Sequence, residues 1–133
     1  MTKQRKQIDI IKTLKRAPPD HELQANNLFL PIDINDYRLS IQASAGHHST
    51  PKTDNLKATE YTNFEVALYF KEPPSKLLKM RIYQYFQTWL DYKDNESETG
   101  MMIFVQMPYT KVNELYDILS LEKVLKLLKP PTQ

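Results

Sequence analysis

The sequence predicts an α+β fold, in which a small, mainly antiparallel sheet of about four strands has helices packed on one face. Short stretches alternate between apolar and polar residues, as half-buried strands do. Longer stretches repeat apolar residues every three or four positions, as amphipathic helices do. At 133 residues the chain suits one such domain.

The first predicted unit is a basic helix over residues 3–16, at the periphery of a single α+β domain that covers residues 20–133. Its apolar residues recur at a spacing of three, which follows one side of a helix: Ile8, Ile11 and Leu14. The prolines at 18 and 19 end this helix and separate residues 1–19 from the domain. We expect a short helical turn over residues 20–27.

Two extended segments come next. Residues 28–34 alternate in polarity, but Pro31 cannot donate a ladder hydrogen bond, which favours an edge strand. Such an edge can pair with a second copy, so a dimer is compatible with the pattern. The Asn35-Asp36 pair suits a tight hairpin turn. Residues 37–44 then alternate cleanly, with these apolar side chains on one side: Tyr37, Leu39, Ile41 and Ala43.

A third strand over residues 61–70 and a long helix over residues 76–92 occupy the middle of the chain. One side of the strand is apolar and the other is amphipathic, so we expect a helix to cover the second side as well. Ser75 is the expected helix cap. The inward residues predicted for the helix are Leu78, Ile82, Tyr85, Phe86 and Trp89.

The last part of the chain reads as a buried strand over residues 101–107 and two helices. A helix over residues 110–119 is capped by Thr110, and a further helix over residues 121–128 begins at Ser120. The inward residues predicted for the first of these helices are Val112, Leu115, Tyr116 and Leu119.

Composition limits the class of protein. The chain has no cysteine, which excludes disulfides and thiol chemistry and is typical of a reducing cytoplasm. No apolar run reaches the ~18 residues needed to cross a bilayer. Charges at the N-terminus occupy the place where a signal peptide has its apolar centre. We therefore expect a cytoplasmic protein that does not bind a membrane.

The polar loop between the second and third predicted strands is the candidate binding site. It holds two of the three histidines, several hydroxyls and one of the two glycines. Long loops on a rigid sheet often carry binding residues. The residues predicted to contact a partner are His47, His48, Ser49, Thr50, Lys52 and Asp54.

This loop completes no catalytic or metal-binding motif, so we predict no catalytic residues, metal or cofactor. Adjacent histidines on an extended chain point to opposite sides and seldom share one ion. His48 and Thr50 match one H-x-T pattern of phosphoesterases, but those enzymes need a second copy, and His21 does not supply it. Nucleophilic catalysis would need one of the loop hydroxyls beside an oriented histidine.

A nucleic-acid-binding protein is the alternative. The first 19 residues carry six basic residues against one acidic residue, and such groups contact phosphates. The residues predicted for that role are Lys3, Arg5, Lys6, Lys12, Lys15 and Arg16. The net charge of +2 is modest, and the chain carries no groove-reading motif.

The stretch SIQAS..H.STP at residues 40–51, followed by YTNFEVALYF at residues 61–70, resembles small proteins of unknown function that bacteriophages and prophages encode. In those proteins an I-x-A-S strand, a histidine/serine/proline loop and a Y-x-x-x-E-V-A strand recur. The resemblance implies an accessory protein that acts in the bacterial host cell. It also implies a non-enzymatic interaction protein, whose partner is a host protein such as a defence component that it inhibits.

Overall fold

The computed structural model describes residues 8–17, 28–71, 74–93 and 101–128. Five antiparallel strands form one sheet in the order β1-β2-β3-β5-β4: β1 (Ile32–Ile34), β2 (Tyr37–Gln42), β3 (Asn63–Phe70), β4 (Leu90–Lys93) and β5 (Met101–Pro108). The helices are α1 (Lys76–Phe86) and α2 (Tyr109–Leu128). The predicted α+β fold is confirmed, with one more strand than the sequence indicated.

Strand alternation gives the sheet two different faces. The core face carries buried apolar side chains, and the inward residues of α1 and α2 join them in one cluster. From β2, β3 and β5, the core face includes Tyr37, Leu39, Ile41, Phe64, Val66, Leu68, Met102, Phe104 and Met107. The open face carries the alternate residues: Arg38, Ser40, Gln42, Glu65, Ala67, Tyr69, Met101 and Ile103.

Both helices pack on the core face, as predicted. The ring of Phe86 in α1 meets the ring of Phe104 edge-on, with centroids 6.4 Å apart. Val112, Leu115 and Leu119 of α2 are fully buried. Each fully buried large apolar side chain of this kind contributes about 1.5–3 kcal/mol relative to exposure. The helical layer therefore stabilises the sheet from one side.

The edge hairpin confirms the predicted turn and the predicted edge position, but the strand predicted over residues 28–34 is too long. Only Ile32–Ile34 form β1, and Phe29 forms an isolated bridge with Arg16 instead. β1 lies at the edge of the sheet and pairs antiparallel with β2, with Ile34 opposite Tyr37. Asn35 in the turn has φ 53°, a left-handed conformation that asparagine tolerates better than most residues.

The end of the predicted helix over residues 76–92 is wrong. Ser75 caps α1 as expected, by accepting a hydrogen bond from the Leu78 backbone N–H, but α1 ends at Phe86. A 3₁₀ turn follows, and then β4 pairs with β5. Tyr85, predicted to point inward, is exposed. Pairing with the next strand along the chain, in which Lys93 lies opposite Met102, overrides the local helical spacing.

The predicted pair of C-terminal helices is a single helix. α2 runs from Tyr109 to Leu128 without a break. Ser120 does not begin a new helix, because its hydroxyl donates a hydrogen bond to the Tyr116 carbonyl one turn earlier. No helix within the described ranges is long and apolar enough to cross a bilayer.

The basic N-terminal helix is wrong over the residues that the structure describes. Residues 8–17 contain one 3₁₀ turn, Ile10–Thr13, followed by extended chain. Ile10 and Ile11 are buried in the core cluster, whereas Ile8 is exposed. Asp9 holds this turn against α2, because it accepts hydrogen bonds from the Tyr109 hydroxyl (2.7 Å) and the Asn113 amide (3.3 Å). The remainder of that prediction, and the turn at residues 20–27, lie outside the described residues.

Candidate functional site

The loop that joins β2 to β3 is held in place by backbone hydrogen bonds to the ends of the sheet. The Thr50 N–H donates to the Asn63 carbonyl (3.1 Å), and the Thr62 N–H donates to the Thr50 carbonyl (2.8 Å). Asp54 Oδ1 accepts a hydrogen bond from the Ala45 N–H (2.9 Å), which joins the two halves of the loop. The loop is therefore an ordered part of the fold rather than a loose connection.

Ser49 lies on the inner side of this loop. Its side chain is buried, with only 1% of the residue exposed. Its hydroxyl donates to the Ser44 carbonyl and accepts from the Ser44 N–H, both at 3.2 Å. These bonds satisfy backbone groups that burial would otherwise leave unpaired. Ser49 therefore shapes the loop, and its side chain does not face a partner.

Gln106 clamps the loop from β5. Its backbone N–H donates to the His48 carbonyl (3.0 Å), and its side-chain amide donates to the Ser49 carbonyl (3.0 Å). Thr50 donates its hydroxyl proton to the Gln106 side-chain oxygen. A bulge in the β3–β5 pairing places Gln106 at φ 54°. For a residue with a long side chain this conformation is strained, and strain of this kind often occurs at functional sites.

Ser44 and His47 form the closest pair of chemically active side chains in the loop. Ser44 Oγ lies 2.6 Å from His47 Nδ1 and also accepts a hydrogen bond from the Gly46 N–H (3.1 Å). Both contacts are satisfied when Ser44 donates to Nδ1, which leaves the proton of the neutral ring on Nε2. Ser44 is buried, with 4% of the residue exposed. Its hydroxyl therefore orients the imidazole ring of His47.

Burial lowers the pKa of the His47 imidazole below its usual value of 6.5. Glu65 and Asp54 act in the opposite direction, because negative charges favour the protonated ring. Desolvation dominates, so His47 is mainly neutral near pH 7.

A groove crosses the open face of the sheet and begins at His47. Its cavity volume is about 630 Å³, within the range of ordinary ligand sites. Its floor comes from β2, β3 and β5, and residues 28–31 form a wall. No residue of α1 or α2 in the described part of the chain lines it, so the expected helical cover on this face is not found there.

Gln42 fixes the wall of the groove in place. Its side-chain amide donates to the Phe29 carbonyl and accepts from the Phe29 N–H, both at 2.8 Å. Gln42 is buried at the end of β2, where an amide without partners would be costly.

At the centre of the floor of the groove, Ala67 lies opposite Ser40 on one side and Ile103 on the other. The small side chain of Ala67 is one reason that the face is concave there.

The structure divides the predicted binding residues between two roles. Ser49 points inward, Thr50 binds Gln106, and Asp54 joins the two halves of the loop. His48 and Lys52 are exposed on the outer side of the loop. His47 borders the groove. The exposed loop residues His48 and Lys52 therefore lie next to the groove, and His47 is the residue that belongs to both. We call the surface formed by these three residues and the lining of the groove the recognition surface.

The basic residues predicted for nucleic-acid binding differ in their exposure and in their contacts. Lys12 and Lys15 are exposed. Arg16, in contrast, donates to the Leu56 carbonyl (2.6 Å), and its guanidinium carbon lies 4.3 Å from the centre of the Phe29 ring. This guanidinium therefore holds the wall of the groove. Lys3, Arg5 and Lys6 lie outside the described residues.

Sequence reasoning missed Gln106, Gln42 and the groove. Neither glutamine belongs to a recognised motif, and their importance depends on contacts between residues distant in the chain. Within the described ranges, no three histidine, aspartate or glutamate side chains cluster in a way that could hold a metal ion. The amphipathic second side of β3 was the one signal for the groove.

The fold and the site define an α+β protein with an ordered polar loop beside a groove on one face of its sheet. Comparisons of the chain with known protein families, with curated proteins and with solved structures found no match.

Proposed function

We propose that this protein is a non-enzymatic interaction protein that binds another protein through its recognition surface. The observation that carries the proposal is the continuity of exposed loop and groove at His47. The hydrogen bonds of the buried Ser49 side chain and of Thr50 hold the loop backbone that carries the exposed side chains. Such preorganisation lowers the entropy lost on binding.

The proposal extends to the kind of partner. The proposed partner is a host protein in the bacterial cytoplasm, as the resemblance of residues 37–70 to small phage and prophage proteins implies. Such a protein would act by covering a working surface of its target, and a component of a host defence system is the target class proposed here. This mode of action needs no catalytic group.

A test of this function compares the wild type with two single-residue variants in capture from bacterial lysate, with and without nuclease. Ala67→Phe fills the groove on the open face, whereas Thr88→Phe adds the same ring at an exposed position away from it. We expect one captured protein to be retained by the wild type and by Thr88→Phe and lost by Ala67→Phe. Its affinity for purified chain should fall at least about tenfold in Ala67→Phe, as for the loss of a well-packed contact.

The double variant His48→Ala with Lys52→Ala tests the loop portion in the same way. Both side chains are exposed, so the fold should remain intact. Capture that is equal in all these variants contradicts the proposal. Capture that disappears after nuclease treatment, and on removal of residues 1–7, would instead support the nucleic-acid alternative.

A further inference from the structure

We propose, building on the interaction function above, that the groove binds an extended five-residue segment of the partner. In this segment the first, third and fifth side chains face the sheet: the middle one is apolar, and the two outer ones are an acidic and a basic side chain, whose order depends on the direction of the segment along β3. Two cross-strand pairs mark the ends of the groove and so set this length. Arg38 lies opposite Tyr69 at one end, and Gln42, four residues further along β2, lies opposite Glu65 at the other. Four residues of extended chain span ~13 Å.

The two ends of the groove differ in charge. Arg38 and Lys71 line one end, where both approach the Asp33 carboxylate, at 2.9 and 3.4 Å. Glu65 lines the other end and is the only carboxylate among the described residues that line the groove. An acidic side chain is therefore favoured beside Arg38 and Lys71, and a basic one beside Glu65.

The centre of the groove favours an apolar side chain. Ala67 lies midway between Glu65 and Tyr69 on β3, and Ile103 is its neighbour on β5. In an extended segment alternate side chains share one side, so the first, third and fifth residues reach the two ends and the centre together. The alternation of the ligand thus matches that of the sheet below it.

Polar groups at the Glu65 end suit a peptide. Ser44 engages His47 Nδ1, so Nε2 is the ring nitrogen available to a ligand, and it donates to a ligand carbonyl in the tautomer in which Ser44 donates to Nδ1. Glu65 already accepts a hydrogen bond from the His48 N–H (3.3 Å), and its carboxylate can accept more than one. A donor and an acceptor side by side match the polar groups of a peptide backbone.

The experiment uses two blocked peptides, Asp-Ser-Leu-Ser-Lys and Lys-Ser-Leu-Ser-Asp, titrated into the whole chain and followed by NMR. The two orders correspond to the two chain directions along β3. We expect one order to bind at least about fivefold more tightly than the other. Glu65→Gln keeps an acceptor for the His48 N–H and removes the charge, so it should weaken the better peptide about fivefold.

A charge exchange sharpens this test. Glu65→Lys should reject the better peptide and bind a version with glutamate in place of its lysine. Ala67→Phe should abolish binding of every peptide, whereas Thr88→Phe should leave it unchanged. Binding by neither peptide, binding unaffected by Ala67→Phe, or displacement by a short oligonucleotide overturns the proposed ligand. If peptides fail while Ala67→Phe still blocks protein capture, the interaction function stands and only the ligand chemistry is wrong.

Discussion

The two faces of the sheet are built from the same strands and have opposite physical character. On the core face, Leu39, Val66 and Phe104 are fully buried beneath the helices. On the open face, Ser40, Ala67 and Ile103 occupy the adjacent positions and line a groove. Successive residues of a strand point to opposite sides of the sheet. Of two neighbouring residues, one therefore packs in the core and the other lines the groove. Substitutions on one face should therefore affect folding, and substitutions on the other should affect binding.

Adjacent methionines on β5 give the largest expected contrast. Met102 is buried on the core face, while Met101 lies on the open face and is partly exposed. Met102→Ala should lower the free energy of unfolding by about 2–3 kcal/mol, through lost burial and the cavity left behind. Met101→Ala should lower it by clearly less. Denaturant unfolding measures both, and equal losses would contradict the division of roles.

The strained clamp at Gln106 gives an effect of intermediate size. Gln106→Ala and Gln106→Gly remove the same amide, but alanine retains the cost of the left-handed conformation at φ 54°. The glycine variant should therefore be more stable than the alanine variant by about 1 kcal/mol. At Ile103, a regularly paired position of the same strand, the order should reverse, since glycine weakens a regular strand. An alanine variant at 106 as stable as the glycine variant would show that the bulge is unstrained.

The smallest expected effect is the contribution of His47 to the pH dependence of the free energy of unfolding. Burial lowers the pKa of His47, so the unfolded chain binds more protons than the folded chain between the lowered pKa and about 6.5. The free energy of unfolding should consequently fall as pH drops through that window. His47→Gln should remove this part of the pH dependence, and His48→Gln, at an exposed position, serves as the matched control. An unchanged pH profile in His47→Gln would contradict the assigned burial of the ring.

Patterns local in the sequence predicted the fold well. The alternation of residues 37–44 and the Asn35-Asp36 turn are sufficient to define the edge hairpin. Local pattern failed where pairing between strands, or a contact between residues distant in the chain, decides the outcome. β4 forms by pairing with β5, although its residues continue a helical spacing. The clamp at Gln106 depends on residues more than 50 positions away.

The sequence predicted which loop forms the candidate site, but not which of its side chains are buried and which are exposed. The concentration of polar residues indicated the loop, yet it could not separate Ser49, which is buried, from its neighbour His48, which is exposed. That difference depends on the carbonyl and N–H groups of Ser44, which the fold brings to the Ser49 hydroxyl. The groove could not be predicted from the sequence, because its lining comes from three strands and from residues 28–31, which only the fold brings together.

Thiol labelling in the groove tests the central claim most directly. The chain has no cysteine, so Ala67→Cys and Thr88→Cys each introduce a unique reactive group, one inside the groove and one outside it. In the free protein both should react with a small maleimide. With the captured partner bound, labelling of Ala67→Cys should slow at least about tenfold, as for a contact buried at an interface, while Thr88→Cys reacts as before. An unprotected thiol at position 67 in the complex would contradict the assignment of the groove as the binding site.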